Sequence, residues 1–127
     1  MALGMLAEIT DGSSRKQILD VLGAENMEVL RTRSSALWNA NYCNDGVITS
    51  IFANSLWLDQ DIDFEQTAMD TLAENYYTSS YQGTMGSENL NQTLRNWIHE
   101  QTGGLLLDYV CRIRDICIWF YLMRMSQ

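Results

Sequence analysis

The sequence lacks several residue types that would impose a particular framework. It contains no proline, although average usage would supply about six in this length, so nothing opposes a helix-rich chain. Its three cysteines, Cys43, Cys111 and Cys117, form no CxxC pair. That pattern argues against a disulfide framework and against a structural zinc site, and it predicts free buried thiols.

Basic residues are also scarce. Eight lysines and arginines stand against sixteen acids, giving a net charge of −8, and such a surface repels nucleic acid and anionic lipid. The longest apolar run, residues 116–123, is too short for a bilayer helix of roughly 20 residues. The N-terminus has no signal-peptide pattern, so the compartment is left unknown. We therefore expect neither a nucleic-acid nor a membrane partner.

What is present is typical of one globular domain rich in helices. With 46% hydrophobic and 19% charged residues, the chain can form one core. Apolar periodicity predicts helices at residues 1–10, 14–22 and 26–40. Ser14 and Gln17 form a capping box for the second helix, and Gly23 ends it. Residues 44–46, Asn-Asp-Gly, form a turn.

The pattern then changes to that of a buried strand. In residues 47–58 both sets of alternate side chains are mostly apolar or small, which predicts an interior strand covered on both faces. A shorter strand follows at 79–84. Ser87 caps a helix that ends at Gly103-Gly104, and its face carries Leu90, Leu94, Trp97 and Ile98.

Between the strands, three aspartates at alternate positions and Asp70 imitate a calcium loop. The sixth position of an EF-hand requires glycine, and here it is Phe64. Phe64, Ala68, Leu72 and Tyr76 instead form one stripe of a helix. We interpret Asp63 and Gln66 as its cap, and we expect no metal and no cofactor.

Four motifs in this order resemble the serpin family. Asn54-Ser55-Leu56-Trp57 is similar to the strand motif in the second strand of its large sheet, sheet A. Residues 96–98 and 101–105, Asn-Trp-Ile and Gln-Thr-Gly-Gly-Leu, are similar to the end of its helix F. Residues 1–12 and 13–24 resemble helix B and helix C.

The resemblance implies an α+β fold, the predominantly helical N-terminal part of a serpin. On this reading residues 26–40 are helix D and 64–77 helix E. The strands at 79–84 and 47–58 are strands 1 and 2 of sheet A, and residues 87–102 are helix F across it. The structural motif positions carried over from the family are Asn54, Leu56, Trp57, Asn96, Trp97, Thr102 and Gly103. Asn96 is interpreted as bonding to the backbone beneath helix F.

The resemblance also implies a function. Serpins inhibit serine or cysteine proteases by inserting a cleaved reactive loop into sheet A, and they use no catalytic residue of their own. Family members tend to be extracellular. The reactive loop and the other strands of sheet A have no counterpart in this sequence. We therefore expect that the chain alone does not inhibit.

The resemblance divides the chain into 1–110, an incomplete serpin-like domain, and 111–127, a non-matching tail. The tail has no clean period and no strand pattern, which points to a truncation or a reading-frame shift. Alternatively, it covers the exposed sheet face. Without its neighbours the strand at 47–58 also favours a second function, a small helical interaction or self-associating module.

Enzymatic readings have little support. His99 is the only histidine, and its polar neighbours predict an exposed surface position. Arg31 and Arg33 stand where some serpins bind polyanions, but two arginines beside glutamates are explained by a solvated face. Asn91-Gln92-Thr93 matches a glycosylation sequon inside a predicted helix.

Overall fold

The structure, a computed structural model, describes residues 1–105 and the backbone of residues 117–126. Five helices and four strands follow one another along these residues. In chain order they are α1 (Ala2–Ile9), α2 (Gly12–Leu22), α3 (Met27–Asn41), β1 (Cys43–Asn44), β2 (Ile48–Asp59), α4 (Gln66–Tyr76), β3 (Thr78–Gly83), α5 (Glu88–Gln101) and β4 (Cys117–Ser126).

The first three helices agree with the periodicity except at one cap. Asn26 caps α3, since its Oδ1 accepts from the Val29 amide at 2.9 Å, and Gly23 ends α2 with φ of +61°. The predicted capping box at Ser14 is wrong. Asp11 is the N-cap of α2, and its carboxylate accepts from the Gly12 amide at 2.6 Å. The helix therefore starts two positions before Ser14, which lies in its first turn.

Helix α4 is also present, but its predicted cap is wrong. It begins at Gln66, and Glu65 at the N-cap position makes no side-chain cap. Leu72 and Tyr76 are fully buried, whereas Phe64 lies before the helix and is 45% exposed. The Asp59 carboxylate accepts from the backbone amides of Asp61 and Met85, so it stabilises the turn that leaves β2.

Strand β2 is the centre of a four-stranded sheet. Asn54–Asp59 pair in parallel with Thr78–Gly83 of β3, and Ile48–Trp57 pair antiparallel with β4. The two residues of β1 pair with Thr49 and Ser50. All residues of Phe52–Leu58 are buried, which confirms the prediction of an interior strand covered on both faces for this part of residues 47–58. Residues 48–51 are half-buried, and Val47 is exposed and lies before the strand.

The expectation that β2 lacks neighbours is wrong on the β4 side. Residues 117–126, inside the tail interpreted as patternless, form a strand that is paired to β2 over its whole length. A continuous apolar run shows no alternation with a period of two, so the sequence alone did not predict this strand. β4 extends the sheet at its edge and does not lie across its face. The division of the chain at residue 110 stays a prediction, because that boundary lies outside the described residues.

Helices cover both faces of β2. On one face, Ala53 and Trp57 pack against Leu90, Leu94, Trp97 and Ile98 of α5. On the other face, Leu56 and Leu58 contact Met5 of α1 and Leu72 and Tyr76 of α4. A third cluster, with Ala7, Ala24 and Leu30, joins α1 to α3. None of the helices in the described part of the chain is long and apolar enough to cross a bilayer.

Candidate functional site

The candidate site is β2 together with the groups that hold it, because the strand motif lies there. The Nδ2 of Asn54 donates to the Tyr76 carbonyl at 2.8 Å, and Asn54 is 1% exposed. This bond ties the middle of β2 to the last residue of α4. A buried amide used in this way fixes the strand relative to the helix beneath it.

The next motif residues fill the two faces of the strand. Leu56 and Trp57 are both fully buried. The indole Nε1 of Trp57 donates to the Ser55 hydroxyl at 2.8 Å, and its ring stacks on Tyr81 of β3 with a centroid separation of 4.2 Å. The aromatic pair therefore links β2 to β3 on the α5 side.

The motif residues at the end of α5 are only partly brought to this site. Trp97 packs in the α5 cluster, Thr102 is 1% exposed, and Gly103 takes a φ of +59° in the turn that ends the helix. Asn96, however, is exposed, and its Oδ1 accepts from Gln92 at 2.9 Å on the helix surface. The interpretation that Asn96 bonds to backbone beneath the helix is wrong. Side chains four residues apart on one helix face meet each other instead.

Two other candidate residues of α5 are placed clearly. His99 is exposed, as its polar neighbours predict. Asn91 of the sequon is 4% exposed and belongs to the buried side of the helix. Within residues 1–105, no three His, Cys, Asp or Glu side chains lie in an arrangement that could hold a metal ion.

Sequence reasoning missed a buried ionic cluster under the sheet. Arg31 binds Glu8 through Nε and Nη2 at 2.8 and 2.9 Å, and the Tyr76 hydroxyl donates to the same carboxylate at 3.2 Å. The Glu8 side chain is 2% exposed and that of Arg31 is 38% exposed, so Arg31 reaches from the surface to a buried carboxylate. The cluster joins α1, α3 and α4. The available signal was Glu8 itself, the only charged residue in the apolar segment 1–10.

Close packing around Tyr76 depends on a glycine. A Cβ added at Gly4 would lie 2.8 Å from the Tyr76 ring, closer than such atoms approach. Burial, and then the negative charge of Glu8, raise the pKa of the Tyr76 phenol well above its ordinary value. Tyr76 is thus both a core residue and the neutral hydrogen-bond donor of the ionic cluster, beside the charged donor Arg31.

Sequence reasoning also missed the aromatic residues that contact β2 at Phe52, the position between its pairing with β1 and its pairing with β3. Phe52 lies between the residues paired with β1 and those paired with β3, and its carbonyl accepts from the Trp38 indole at 2.8 Å. Trp38 stacks on Tyr77 at a centroid distance of 4.0 Å. Tyr77 has a φ of +52°, a conformation rare for a side chain of this size. The stack and a hydrogen bond from Asn39 hold it there.

The site therefore contains a rigid strand between two edges and no catalytic arrangement among the motif residues. β3 and β4 flank β2, and within the described residues neither carries a further strand on its outer side. The chemistry such a site offers is backbone pairing. Groups of this kind bind another extended segment.

Comparison with known proteins gives the class of this chain. The family model of Serpin (serine protease inhibitor) matches residues 1–116. No curated protein sequence matches the chain. The chain belongs to the serpin family.

Solved serpin structures share its fold. Arabidopsis AtSerpin1 in its native stressed conformation is 21% identical, with a TM-score of 0.75, and the match covers 94% of this chain and 33% of that one. Human kallistatin is 17% identical with a TM-score of 0.78, covering 95% and 34%. Human thyroxine-binding globulin, complexed with thyroxine, is 14% identical with a TM-score of 0.81, covering 98% and 36%. The chain thus spans about a third of the length of these serpins.

The raised pKa of Tyr76 predicts how stability changes at high pH. Below about pH 10 the phenol is protonated in the folded and unfolded states alike. As the pH rises further, the unfolded state loses the proton while the folded state keeps it, so the folded state is progressively destabilised. The loss is up to about 1.4 kcal/mol per pH unit from this group. Urea unfolding between about pH 9 and pH 11 measures it.

Tyr76→Phe removes this titration and should flatten the slope relative to the unaltered protein. Tyr77→Phe is the matched control. Hydrogen bonds with Ser35 and Asn39 lower the pKa of the Tyr77 phenol, so its contribution has the opposite sign. An identical slope for Tyr76→Phe and the unaltered protein would contradict the assignment.

Proposed function

We propose that this chain is the N-terminal part of a serpin that inhibits a serine- or cysteine-type endopeptidase by taking a further strand into its sheet. The observation that supports this is the outer edge of β4. β4 is ten residues long and pairs with β2 on one side. Within the described residues its other side carries no strand.

Serpins trap proteases by inserting a cleaved reactive loop as a strand of this sheet. Insertion requires an acceptor edge that keeps its shape, because a strand that bends or slips offers no continuous row of hydrogen bonds. β2, with its buried residues, would hold β4 in that shape.

We further propose that the 127 residues alone are not inhibitory. The match covers about a third of a serpin, and the reactive loop of the family has no counterpart in this third. Family membership by itself leaves the activity open, since thyroxine-binding globulin is a serpin solved with thyroxine. The activity therefore has to be measured on two proteins, this chain and a completed one.

In the first assay, this chain is incubated with trypsin-like, subtilisin-like and papain-like proteases and run on a denaturing gel. We expect no detergent-stable adduct, because no reactive loop is available to form the acyl bond. In the second assay, residues 1–126, which include β4, are joined to the C-terminal two thirds of AtSerpin1, with AtSerpin1 as positive control. Here we expect a detergent-stable adduct.

Each assay has its own contradicting result. An adduct with this chain alone would show that it inhibits by itself. A joined protein that unfolds cooperatively, yet forms no adduct where AtSerpin1 does, would contradict the proposed inhibitory function.

A second candidate function is a self-associating module, and the same edge of β4 favours it. The sequence of β4, CIWFYLMRMS, carries one charged residue, and an apolar strand with an unpaired edge invites pairing between copies. Light scattering at several concentrations tests this. A defined dimer or tetramer supports association, an open-ended series indicates aggregation, and a monomer at every concentration contradicts it.

A further inference from the structure

The opposite side of the sheet ends in a second free edge, that of β3. The Gly83 carbonyl accepts from the Gln60 amide, so the backbone groups of residue 83 point toward β2. Because these groups alternate along a strand, those of Ser80 and Gln82 point outward. Both residues are exposed, and within the described residues no strand pairs with this outer edge.

Two clefts lie along this edge, one on each face of the sheet. On the α4 side a cavity of about 210 Å³ is lined by Leu58, Phe64 and Met69. On the α5 side a larger cavity of about 400 Å³ is lined mainly by polar side chains, among them Gln60, Asn89 and Thr93. Tyr81 and Gln82 of β3 border both clefts.

We propose that the outer edge of β3 binds an extended segment of a partner protein as an added strand. Successive side chains of a strand point to opposite faces. A segment paired with β3 therefore places every second side chain in the apolar cleft beside α4 and the others in the polar cleft beside α5. Backbone hydrogen bonds supply affinity, and the two clefts supply specificity. The edge lies across β2 from β4, so this site is independent of the proposed function.

The charges near the edge define the partner further. Among the residues that the structure describes, none that lines either cleft is charged. Asp61, Asp63 and Glu65 follow the end of β2, where Asp59 pairs with Gly83. All three are exposed, and within residues 1–105 none takes part in an ion pair. A partner segment fits this end of the edge if its residues alternate between apolar and polar and are followed by lysine or arginine, which would lie near the three acids.

Charge also decides between a different protein and a second copy of the chain. At a net charge of −8, a second copy would bring more acids to a site already flanked by three. The occupant is therefore a basic peptide segment of another protein. A second copy is an alternative outcome of the test.

The probe is an N-acetylated, C-amidated peptide in which threonine and valine alternate and which ends in a pair of lysines. It is titrated into the full 127-residue chain at low salt, and amide chemical shifts are followed by NMR. We expect the largest shifts at Ser80 and Gln82. The same peptide with N-methylated valines, and a version with glutamates in place of the lysines, should each bind at least about tenfold more weakly.

Ser80→Pro and Ser80→Ala are the matched variants. Proline removes the outward amide while leaving the ladder to β2, the one place in a sheet where it is tolerated. Alanine keeps the amide. We expect Ser80→Pro to weaken binding of the peptide at least about tenfold and Ser80→Ala less than about twofold. If Ser80→Pro fails to fold, judged by circular dichroism, the N-methylated peptide makes the same test from the ligand side.

Several results would overturn the proposal. They are no binding of the lysine peptide, equal affinity for its N-methylated form, equal affinity of the folded Ser80→Pro and Ser80→Ala variants, or shifts confined to β4. A dimer that forms without peptide and protects the Ser80 and Gln82 amides would show that the occupant is a second copy.

Discussion

The structure depends on the complete burial of one stretch of backbone. Residues Phe52–Leu58 of β2 are all buried, and water cannot satisfy their amides and carbonyls. An unpaired buried peptide group costs on the order of a few kcal/mol, so a run of this length is stable only with partners along both edges. β3 and β4 provide them. Where β1 and β3 leave Phe52 between them, the Trp38 indole supplies a donor from α3.

The helices beneath the sheet are fixed by a second constraint of the same kind. Glu8 is charged and buried, and such a group is tolerated only with a hydrogen-bonded partner of opposite charge. Arg31 of α3 is that partner, and the Tyr76 hydroxyl of α4 donates a further hydrogen bond to the same carboxylate. Buried pairs of this kind are weak evidence for stability, but loss of one partner is costly. They therefore restrict how α1, α3 and α4 can pack. Asn54 donates to the carbonyl of the last residue of α4 and so fixes the position of β2 relative to these helices.

Much of this arrangement could be predicted from sequence because the signals were local. Asn26, Ser87 and Gly23 mark helix ends by hydrogen bonds and backbone conformations that involve only a few neighbouring residues. In residues 47–58 both sets of alternate side chains are mostly apolar or small, which indicates a strand that is covered on both faces. Long-range pairings leave no such signal. Nothing in residues 1–10 names Arg31 as the partner of Glu8. Likewise, nothing in residues 117–126 indicates antiparallel pairing with a strand about seventy residues earlier.

In the candidate site, too, some residues could be predicted from the sequence and others could not. The strand motif from Asn54 to Trp57 could be located by its resemblance to the serpins, and its residues lie buried in β2. The prediction for Asn96 was wrong because a shift of one residue along a helix rotates the side chain by about 100°, which is enough to move it from the sheet to solvent. The positive φ of Tyr77 was invisible for a different reason. Tyr77 is the left-handed C-cap of α4, where its amide donates to the Leu72 carbonyl, and a tyrosine gives no signal at a position that glycine or asparagine usually fills.

Hydrogen exchange of the β2 amides distinguishes a strand paired along both edges from a strand paired along one, because successive amides of a strand point to opposite edges. A strand paired along both edges gives a continuous slow run from Asn54 to Trp57, with residues facing β3 and residues facing β4 equally protected. Fast exchange at every second amide would show that one edge of β2 is unpaired. That result would contradict the interior position on which the sheet and both of its proposed binding edges depend.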